Sequence, residues 1–345
     1  MPGGLQRGHL RFRLRPGLRG QRALGGLLRH GPGVSLARGR GPAVVRGRRR
    51  AGGPGRGRAV SPAWLALLWL AGPPVAFLDG VEPRGEIRRV VSLAPNLTEI
   101  VFALGAGDRL VGVTRYDDFP EAVRDIPRVG GFIDPSVEAI AAARPDLVLC
   151  VRAPGGKERL SALPRLRIPV AILADGGIED LYLNIRALGT MLSRRAAAVV
   201  LDAGLRVAVA RVVARAQLRK PVRALLVYGH RPLVAAGRDS FPGELLRLAG
   251  GENVLPSGGP AFPAVPLEVV ISSAPDVIID ASGSGTGGEM TRDQAMEFWN
   301  RYTIIPAVMR KKVFAVDSAK WFRLGPRVGE ALESLSEILD QAERD

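Results

Sequence analysis

From Ile87 onward the chain alternates short apolar runs with stretches in which apolar residues return every three or four positions. Val90-Val-Ser-Leu93 predicts a short buried strand, and Thr98-Glu-Ile-Val-Phe-Ala-Leu104 predicts a helix that stops at Gly105. Asn96 or Thr98 supplies a side-chain oxygen to cap that helix. Leu110-Val-Gly-Val113 predicts the next strand. After it come a polar turn, Tyr116-Asp-Asp-Phe-Pro120, a helix running through Ala143, the apolar strand Leu147-Val-Leu-Cys-Val151 and a closing strand, Val170-Ala-Ile-Leu173. Strands that alternate with helices predict parallel sheets covered on their faces. Residues 179–219 contain no proline, and Leu181, Ile185, Leu188, Leu192, Val199 and Val200 recur at helical spacing, weakened locally by Gly189 and Gly204. This stretch is either an ordinary packed helix pair or a linker of roughly 24 helical residues after Ser193, about 36 Å long and able to run along a whole domain edge.

The second half repeats landmarks of the first. Glu99 lies six residues before Gly105, and Glu244 lies six before Gly250. Glu138 precedes Pro145-Asp-Leu-Val-Leu149 by seven residues, and Glu268 precedes Pro275-Asp-Val-Ile-Ile279 by the same seven. A period this long is no solenoid repeat, so two matches in one order predict two lobes of like fold arising by duplication. Each Pro-Asp falls between a helix and an apolar strand, where proline ends the helix. The expected fold class is α/β, with two similar lobes built on parallel-type sheets. The expected boundaries are an N-terminal lobe at 86–193, a linker helix at 194–219 and a C-terminal lobe at 220–345.

Composition changes the picture mainly at the N-terminus. The formal charge is +16, yet residues 1–58 hold 15 Arg, 16 Gly and no acidic residue, which leaves 34 basic and 33 acidic side chains elsewhere. The folded part is therefore balanced, which excludes a generally basic nucleic-acid-binding domain. The tail cannot bury enough apolar surface to offset the entropy of ordering it and is expected to be disordered. An over-extended start accounts for it best; an RNA-binding Arg/Gly tail is the alternative, opposed by the near absence of aromatic residues for base stacking. Residues 59–79 contain Trp64-Leu-Ala-Leu-Leu-Trp-Leu-Ala71, too short for a bilayer span, which needs roughly 20 residues. Arginines, an apolar run and then small residues is the order of a secretory signal, with Ala76 a candidate cleavage point. Pro74 is unfavourable before such a point, so an uncleaved N-terminal tether is the alternative. No cysteine stands directly after the run, which argues against a lipid-anchored form, and the single cysteine, Cys150, excludes an internal disulfide or a Cys-based metal cluster.

Taken in order, these landmarks resemble the periplasmic substrate-binding proteins of ABC importers for vitamin B12, haem and ferric siderophores. The resemblance covers Arg88 to about Gln341. It rests on Val91-Ser-Leu-Ala-Pro-Asn-Leu-Thr-Glu99, Val111-Gly-Val-Thr-Arg-Tyr-Asp-Asp-Phe-Pro120, Val129-Gly-Gly-Phe132, Glu138 with Pro145-Asp146, and Trp321-Phe-Arg-Leu-Gly-Pro-Arg327. It implies a rigid helix joining the lobes, a ligand cleft between them, a periplasmic location, a monomer, and a binding role rather than catalysis, with no resident cofactor. The implied ligand is a large metal chelate, cobalamin or another corrinoid first, with a ferric siderophore or haem as alternatives. The implied partner is the membrane permease, whose arginines would meet Glu138 and Glu268, one glutamate on each lobe. Each of these also begins a helix just after a proline, Pro135 or Pro266, where a carboxylate complements the helix dipole by about 0.3–1 kcal/mol.

Tyr116 and Phe132 in the first lobe, and Phe262 and Trp321 in the second, match positions where aromatic side chains line the cleft of corrinoid-binding members. The plainer reading is four partly buried packing residues. His230, the only histidine outside the tail, follows an expected strand in Val227-Tyr-Gly-His-Arg-Pro232 and either contacts ligand or serves as a hydrogen-bonded structural residue. Two departures from the corrinoid pattern stand out: Val151-Arg152-Ala-Pro-Gly-Gly156 lacks an aromatic, and Lys320 replaces an acid before Trp321. Arg152, Lys320 and Arg323 would make a cationic cleft suited to the carboxylates of siderophores or haem, unless they are solvated rim charges. With one histidine in the folded part, no cage for a bare Zn or Mn ion is expected. The enzyme alternative is Gly283-Ser-Gly-Thr-Gly-Gly288, a G-x-G-x-x-G string after an expected strand. Its fit to a dinucleotide is poor, because Asp317 lies 29 residues beyond Gly288 and Glu289 would oppose pyrophosphate at the helix start.

Overall fold

The structure, a computed structural model, describes residues 75–152, 156–283 and 291–344. The N-terminal lobe is built on strands β1 (Ala76–Phe77), β2 (Val90–Ser92), β3 (Leu110–Gly112), β4 (Leu147–Val151) and β5 (Val170–Leu173), in the order β1-β5-β4-β2-β3. β2 to β5 pair in parallel. β5 does not close this sheet, as the apolar pattern had implied: β1 runs antiparallel along its outer edge, with Ala76 opposite Ile172 and Phe77 opposite Ala171. The end of the segment expected to be signal-like thus belongs to the lobe, and Leu78 is buried beside it. A cut after Ala76 would sever this edge strand. Residues 59–74 and the Arg/Gly tail lie outside the described residues.

β4 shows why this lobe holds together. All five of its residues are buried, and their side chains alternate between two faces. Leu147, Leu149 and Val151 join a core with Leu97, Ile100, Leu181 and Ile185, contributed by the helices Pro95–Ala103 and Ile178–Met191. Val148 and Cys150 pack on the opposite face with Ile140, Leu160 and Leu163. A strand covered on both sides reads as a continuous apolar run, which is why its bounds were legible. Leu149→Ala would remove a side chain of zero exposure at a cost of about 2–5 kcal/mol.

The C-terminal lobe contains β6 (Val222–His230), β7 (Leu233–Ala235), β8 (Gly251–Asn253), β9 (Val277–Asp280) and β10 (Val313–Ala315). The order is β10-β9-β6-β7, with β8 beside the first part of β6; only the β6–β7 hairpin is antiparallel. The repeated landmarks take equivalent roles. Asp146 N–H donates to Arg89 O at 2.8 Å, and Asp276 N–H donates to Arg223 O at 2.9 Å, so each Pro-Asp brings the chain back to the strand beside which the next one pairs. Gly105 and Gly250 adopt φ of +69° and +88° just past their helices, the left-handed conformation that glycine enters at least cost.

Between the lobes, Ile178–Met191 leads through a short turn into the 22-residue helix Arg195–Ala216, about 33 Å long. The two helices pack closely at Gly189, where an added Cβ would lie 2.4 Å from the Ala198 Cβ. The main apolar core runs without a break from Leu97 and Leu181, past Leu205 and Val212 of the long helix, to Leu332 and Leu339 of the C-terminal helix Val328–Arg344 and to Leu226 and Ile279 of the second sheet. One continuous core makes the connection between the lobes stiff, because close-packed interiors resist small displacements.

Candidate functional site

A cavity of about 1100 Å³ opens between the lobes. Loops at the ends of parallel strands form it, the place where open α/β sheets expose backbone and side chains to a ligand. From the N-terminal lobe come Tyr116, Phe132, Asp118 and Asp175; from the C-terminal lobe come Tyr228, Phe241, Phe262, Phe322, Asp239 and Asp317.

Tyr116 stands on the loop after β3. The Asp117 carboxylate folds back to accept from Thr114 N–H at 2.8 Å and from Thr114 Oγ1 at 2.5 Å, while Tyr116 N–H donates to Thr114 Oγ1 at 3.2 Å. This local turn leaves Tyr116 half exposed to the cleft. Burial pushes the Asp117 carboxyl above its ordinary range, against the pull of its hydrogen bonds from Thr114 and Thr98, and its Oδ1 has no partner. Phe132 is set by the next loop, where Gly130 has φ +111° and an added Cβ would meet Asp134 O at 2.7 Å. Arg115 fastens that loop by pairing with Asp134.

The opposite wall is an aromatic face. Tyr228, near the end of β6, meets Phe262 and Phe322 with ring centroids 5.2 and 5.6 Å apart. Pattern reading placed Phe262 here but missed Tyr228, Phe241 and Phe322. Tyr228 is the outward residue at the end of a buried strand, so the alternation of β6 could have singled it out. Trp321 was expected in the cleft and is not there: it is 7% exposed and packs in the main core, and its neighbour Phe322 faces the cavity instead. The reason is helical geometry, since Ser318–Trp321 is a helical turn in which successive side chains point about 100° apart.

His230 also lies elsewhere. Its Nε2 is 2.7 Å from Asp280 Oδ2 and 3.0 Å from Ser282 Oγ, and its ring stacks on Phe298 at 3.7 Å. Both oxygens meet the same nitrogen, which is not the relay of a nucleophilic triad, where the acid orients the opposite ring nitrogen. Burial alone would raise the Asp280 carboxyl; the hydrogen bonds from His230, Ser282 and Trp299 outweigh it and hold the group below the ordinary aspartate range. His230 is thus a hydrogen-bonded residue of the second lobe.

The expected cationic cleft is not what the side chains make. Lys320 pairs with Glu330 at 3.2 Å. Arg152 lines a neighbouring cavity of about 550 Å³ that shares Phe132 and Val151 with the cleft. Arg323 does reach the cleft wall, but it pairs with Asp118 and with Glu99 and donates to Tyr116 O at 3.1 Å. Burial would lower its guanidinium pKa, and the two carboxylates raise it instead. Among the described residues the wall carries two arginines, Arg115 and Arg323, both paired, against four aspartates. Asp175 is one of the four; burial and then the Asp180 charge push its carboxyl up, with Arg152 pulling the other way.

Glu138 and Glu268 each occupy the second position of a short helix, Val137–Ala142 and Leu267–Ser273, and both are exposed. Ser136 caps the first helix, accepting from Ala139 N–H at 3.1 Å, and its hydroxyl donates to Glu138 Oε2 at 3.2 Å. Of the Gly-rich string, residues 284–288 lie outside the described residues, and Asp317 lines the cleft. No group of three or more metal-binding side chains occurs among the described residues.

The family model described as periplasmic binding protein matches residues 90–319. The chain belongs to that family. It is 26% identical over 270 residues to the vitamin B12-binding protein of Vibrio campbellii, covering 78% of this chain and 94% of that one. It is 29% identical over 254 residues to the vitamin B12-binding protein of Yersinia pestis, covering 73% and 86%. Among solved structures, the periplasmic vitamin B12 binding protein BtuF of Vibrio cholerae superposes with a TM-score of 0.67 at 24% identity, covering 75% of this chain and 99% of that one. The periplasmic heme-binding protein RhuT from Roseiflexus sp. RS-1, in apo form, gives 0.66 at 28% identity, again over 75% and 99%. The match to the two-lobed family bears out the α/β class and the binding-protein resemblance.

Proposed function

We propose that this periplasmic binding protein captures a corrinoid of the cobalamin class between its lobes and delivers it to the permease of an ABC importer. The observation that carries the reading is the character of the cleft wall: aromatic faces from both lobes around a space larger than the roughly 300–1,000 Å³ of ordinary small-molecule pockets, with aspartates in excess of arginines. A large neutral ligand edged with amides suits such a wall, since its N–H groups find carboxylate acceptors and its flat faces find rings. The carboxylates of haem or of many ferric siderophores would meet like charge, because both wall arginines are already paired. The vitamin B12-binding relatives from Vibrio and Yersinia support the same ligand.

Tyr116, Phe132, Tyr228, Phe262 and Phe322 form the ligand contacts in this reading, and Glu138 and Glu268 engage the permease. Capture between the lobes and release at the membrane is a binding role, in keeping with the family, and places the working protein outside the inner membrane. Titration of the full chain with cyanocobalamin, haemin and a ferric siderophore panel, followed by calorimetry, tests the ligand. One-to-one submicromolar binding of cyanocobalamin alone is expected; tighter binding of haemin or a siderophore would overturn the corrinoid assignment.

A further inference from the structure

Two glutamates stand directly behind the cleft wall and reach from one lobe to the other. Glu99, on Pro95–Ala103 of the first lobe, is 3% exposed and accepts from Arg327 Nε at 3.0 Å, from Arg327 Nη2 at 2.6 Å and from Arg323 Nη1 at 3.3 Å. Both arginines belong to the second lobe. Glu244, on Phe241–Leu248 of the second lobe, accepts from Ile178 N–H of the first at 2.9 Å. These are the two positions that match in the sequence repeat, each six residues before its helix-ending glycine.

The receiving sides also correspond. A Cβ added to Gly177 would lie 2.6 Å from Glu244 Oε2, and one added to Gly325 would lie 3.2 Å from Glu99 Oε2. Each carboxylate therefore closes on a glycine of the other lobe; a methyl group at Gly177 would displace the Glu244 carboxylate, and one at Gly325 would crowd that of Glu99. Glu244 does a second thing: Gly177 precedes the 14-residue helix Ile178–Met191 and provides no side-chain cap, so the carboxylate from across the cleft satisfies one of that helix's open N–H groups. That helix leads into the long interlobe helix. Beside Glu99, Arg323 continues to Asp118 and Tyr116 O, so the same contact holds the loop that presents Tyr116.

We propose that Glu99 and Glu244 are a reciprocal pair of positioning residues that set the width of the cleft and the stance of Tyr116, acting on ligand through Arg323 and through Gly176, the neighbour of Gly177, both of which line the cleft, rather than by touching it. The helix pair and common core limit how far the lobes can part, and these two contacts choose one separation within that limit. Only the affinity arm of the test below rests on the corrinoid reading.

Spin labels on cysteines replacing Leu166 and Met309, one exposed on each lobe, report lobe separation in the full ligand-free chain by pulsed dipolar spectroscopy. Cys150 is buried and its thiol is pushed up to about 12, so it stays unlabelled. A single narrow distance is expected in the parent, with a shifted or broadened one in E99Q/E244Q and in Gly177→Ala at unchanged circular dichroism. Cyanocobalamin affinity should fall about tenfold or more in the same variants, as preorganisation is lost. Gly177→Ala keeps every charge, so it separates a loss of closeness from a loss of ion pairing and serves as the second variant should E99Q/E244Q not fold. Unchanged distance distributions in the folded variants overturn the proposal whether or not cobalamin binds. A parent that fails to bind cobalamin, with distances that do respond, overturns the ligand assignment and leaves the positioning role supported.

Discussion

The two lobes share a scaffold and build unlike walls on it. In the first, the chain leaves β3 through a polar turn in which Thr114 and Asp117 hold Tyr116 half exposed, and the wall is a lip of mixed charge around two aromatic rings. In the second, β6 carries Tyr228 to the cleft, where Phe262 and Phe322 meet it in a packed aromatic cluster, with Asp239, Asp317 and Arg323 beside it. The equivalent helices, the Pro-Asp returns and the left-handed glycines differ little between them. What pairs and packs is alike in the two lobes and the loops at the strand ends differ, since a loop can vary without disturbing the core beneath it.

The largest effect expected from breaking this pairing concerns what the lobes retain in common. Replacing Glu138 and Glu268 together by Ala should abolish ligand uptake into cells while leaving affinity in solution unchanged, since both side chains are exposed and neither lines the cleft. Each single variant should lie between. Loss of affinity in the double variant would show that the two glutamates belong to the ligand site instead.

The aromatic wall is tested most sharply at two adjacent residues. Trp321 packs in the core and Phe322 faces the cavity, so their truncations should part company. Trp321→Ala should cost about 3–5 kcal/mol of stability, read as a fall in thermal midpoint. Phe322→Ala should cost little stability and weaken cyanocobalamin by roughly 10- to 100-fold, the usual range for an aromatic anchor. Equal effects of the two on binding would mean that the cleft wall does not distinguish them.

That pair also marks where the sequence stopped being informative. β4 and β5 were legible to the residue because a strand covered on both faces must be apolar throughout. The helix Ile178–Met191 was legible because Leu181, Ile185 and Leu188 keep helical spacing on a buried face, whereas in the long helix Val199 and Val200 are exposed and the absence of proline was the signal. The two-lobe plan was legible from glycines and Pro-Asp pairs at fixed offsets. Trp321 against Phe322 turns on which way a side chain points at the end of a short helix, where a one-residue displacement exchanges core for cleft. Tyr228 and His230, two apart, would share a face of a regular strand and part where the pairing of β6 with β7 shifts register between Val227 and Gly229. Charge was misread for a related reason. Arg323 and Lys320 stand out as cations in a list of residues, whereas their carboxylate partners, Glu99, Asp118 and Glu330, come from distant parts of the chain or another turn of helix. β1 was hidden because two residues at the end of an apolar run give no period to count.

The smallest expected effect separates the lobes by the sign of a pH dependence. Each lobe buries one aspartate beside its cleft loop, and their surroundings differ. Asp280 accepts from Trp299 Nε1, Ser282 N–H and Ser282 Oγ and pairs with His230, whereas Asp117 is served chiefly through Oδ2 and leaves Oδ1 without a partner. Burial is the largest influence on both; it wins at Asp117, raising its pKa, and loses at Asp280, whose pKa falls. A carboxyl with a depressed folded pKa adds stability above its unfolded value of about 3.9, and that contribution disappears as pH falls through the folded value. A raised one subtracts stability at neutral pH, and the penalty is relieved as pH falls through the folded value toward about 3.9. Asp280→Asn should therefore lower stability at pH 7 by about 1–3 kcal/mol, a deficit that narrows in acid. Asp117→Asn should raise it by no more than about 1 kcal/mol, a gain that vanishes in acid. Thermal midpoints of the parent and the two variants between neutral pH and the acid limit of folding read both slopes. Two slopes of the same sign would show that hydrogen-bond count does not decide which buried aspartate the fold holds charged.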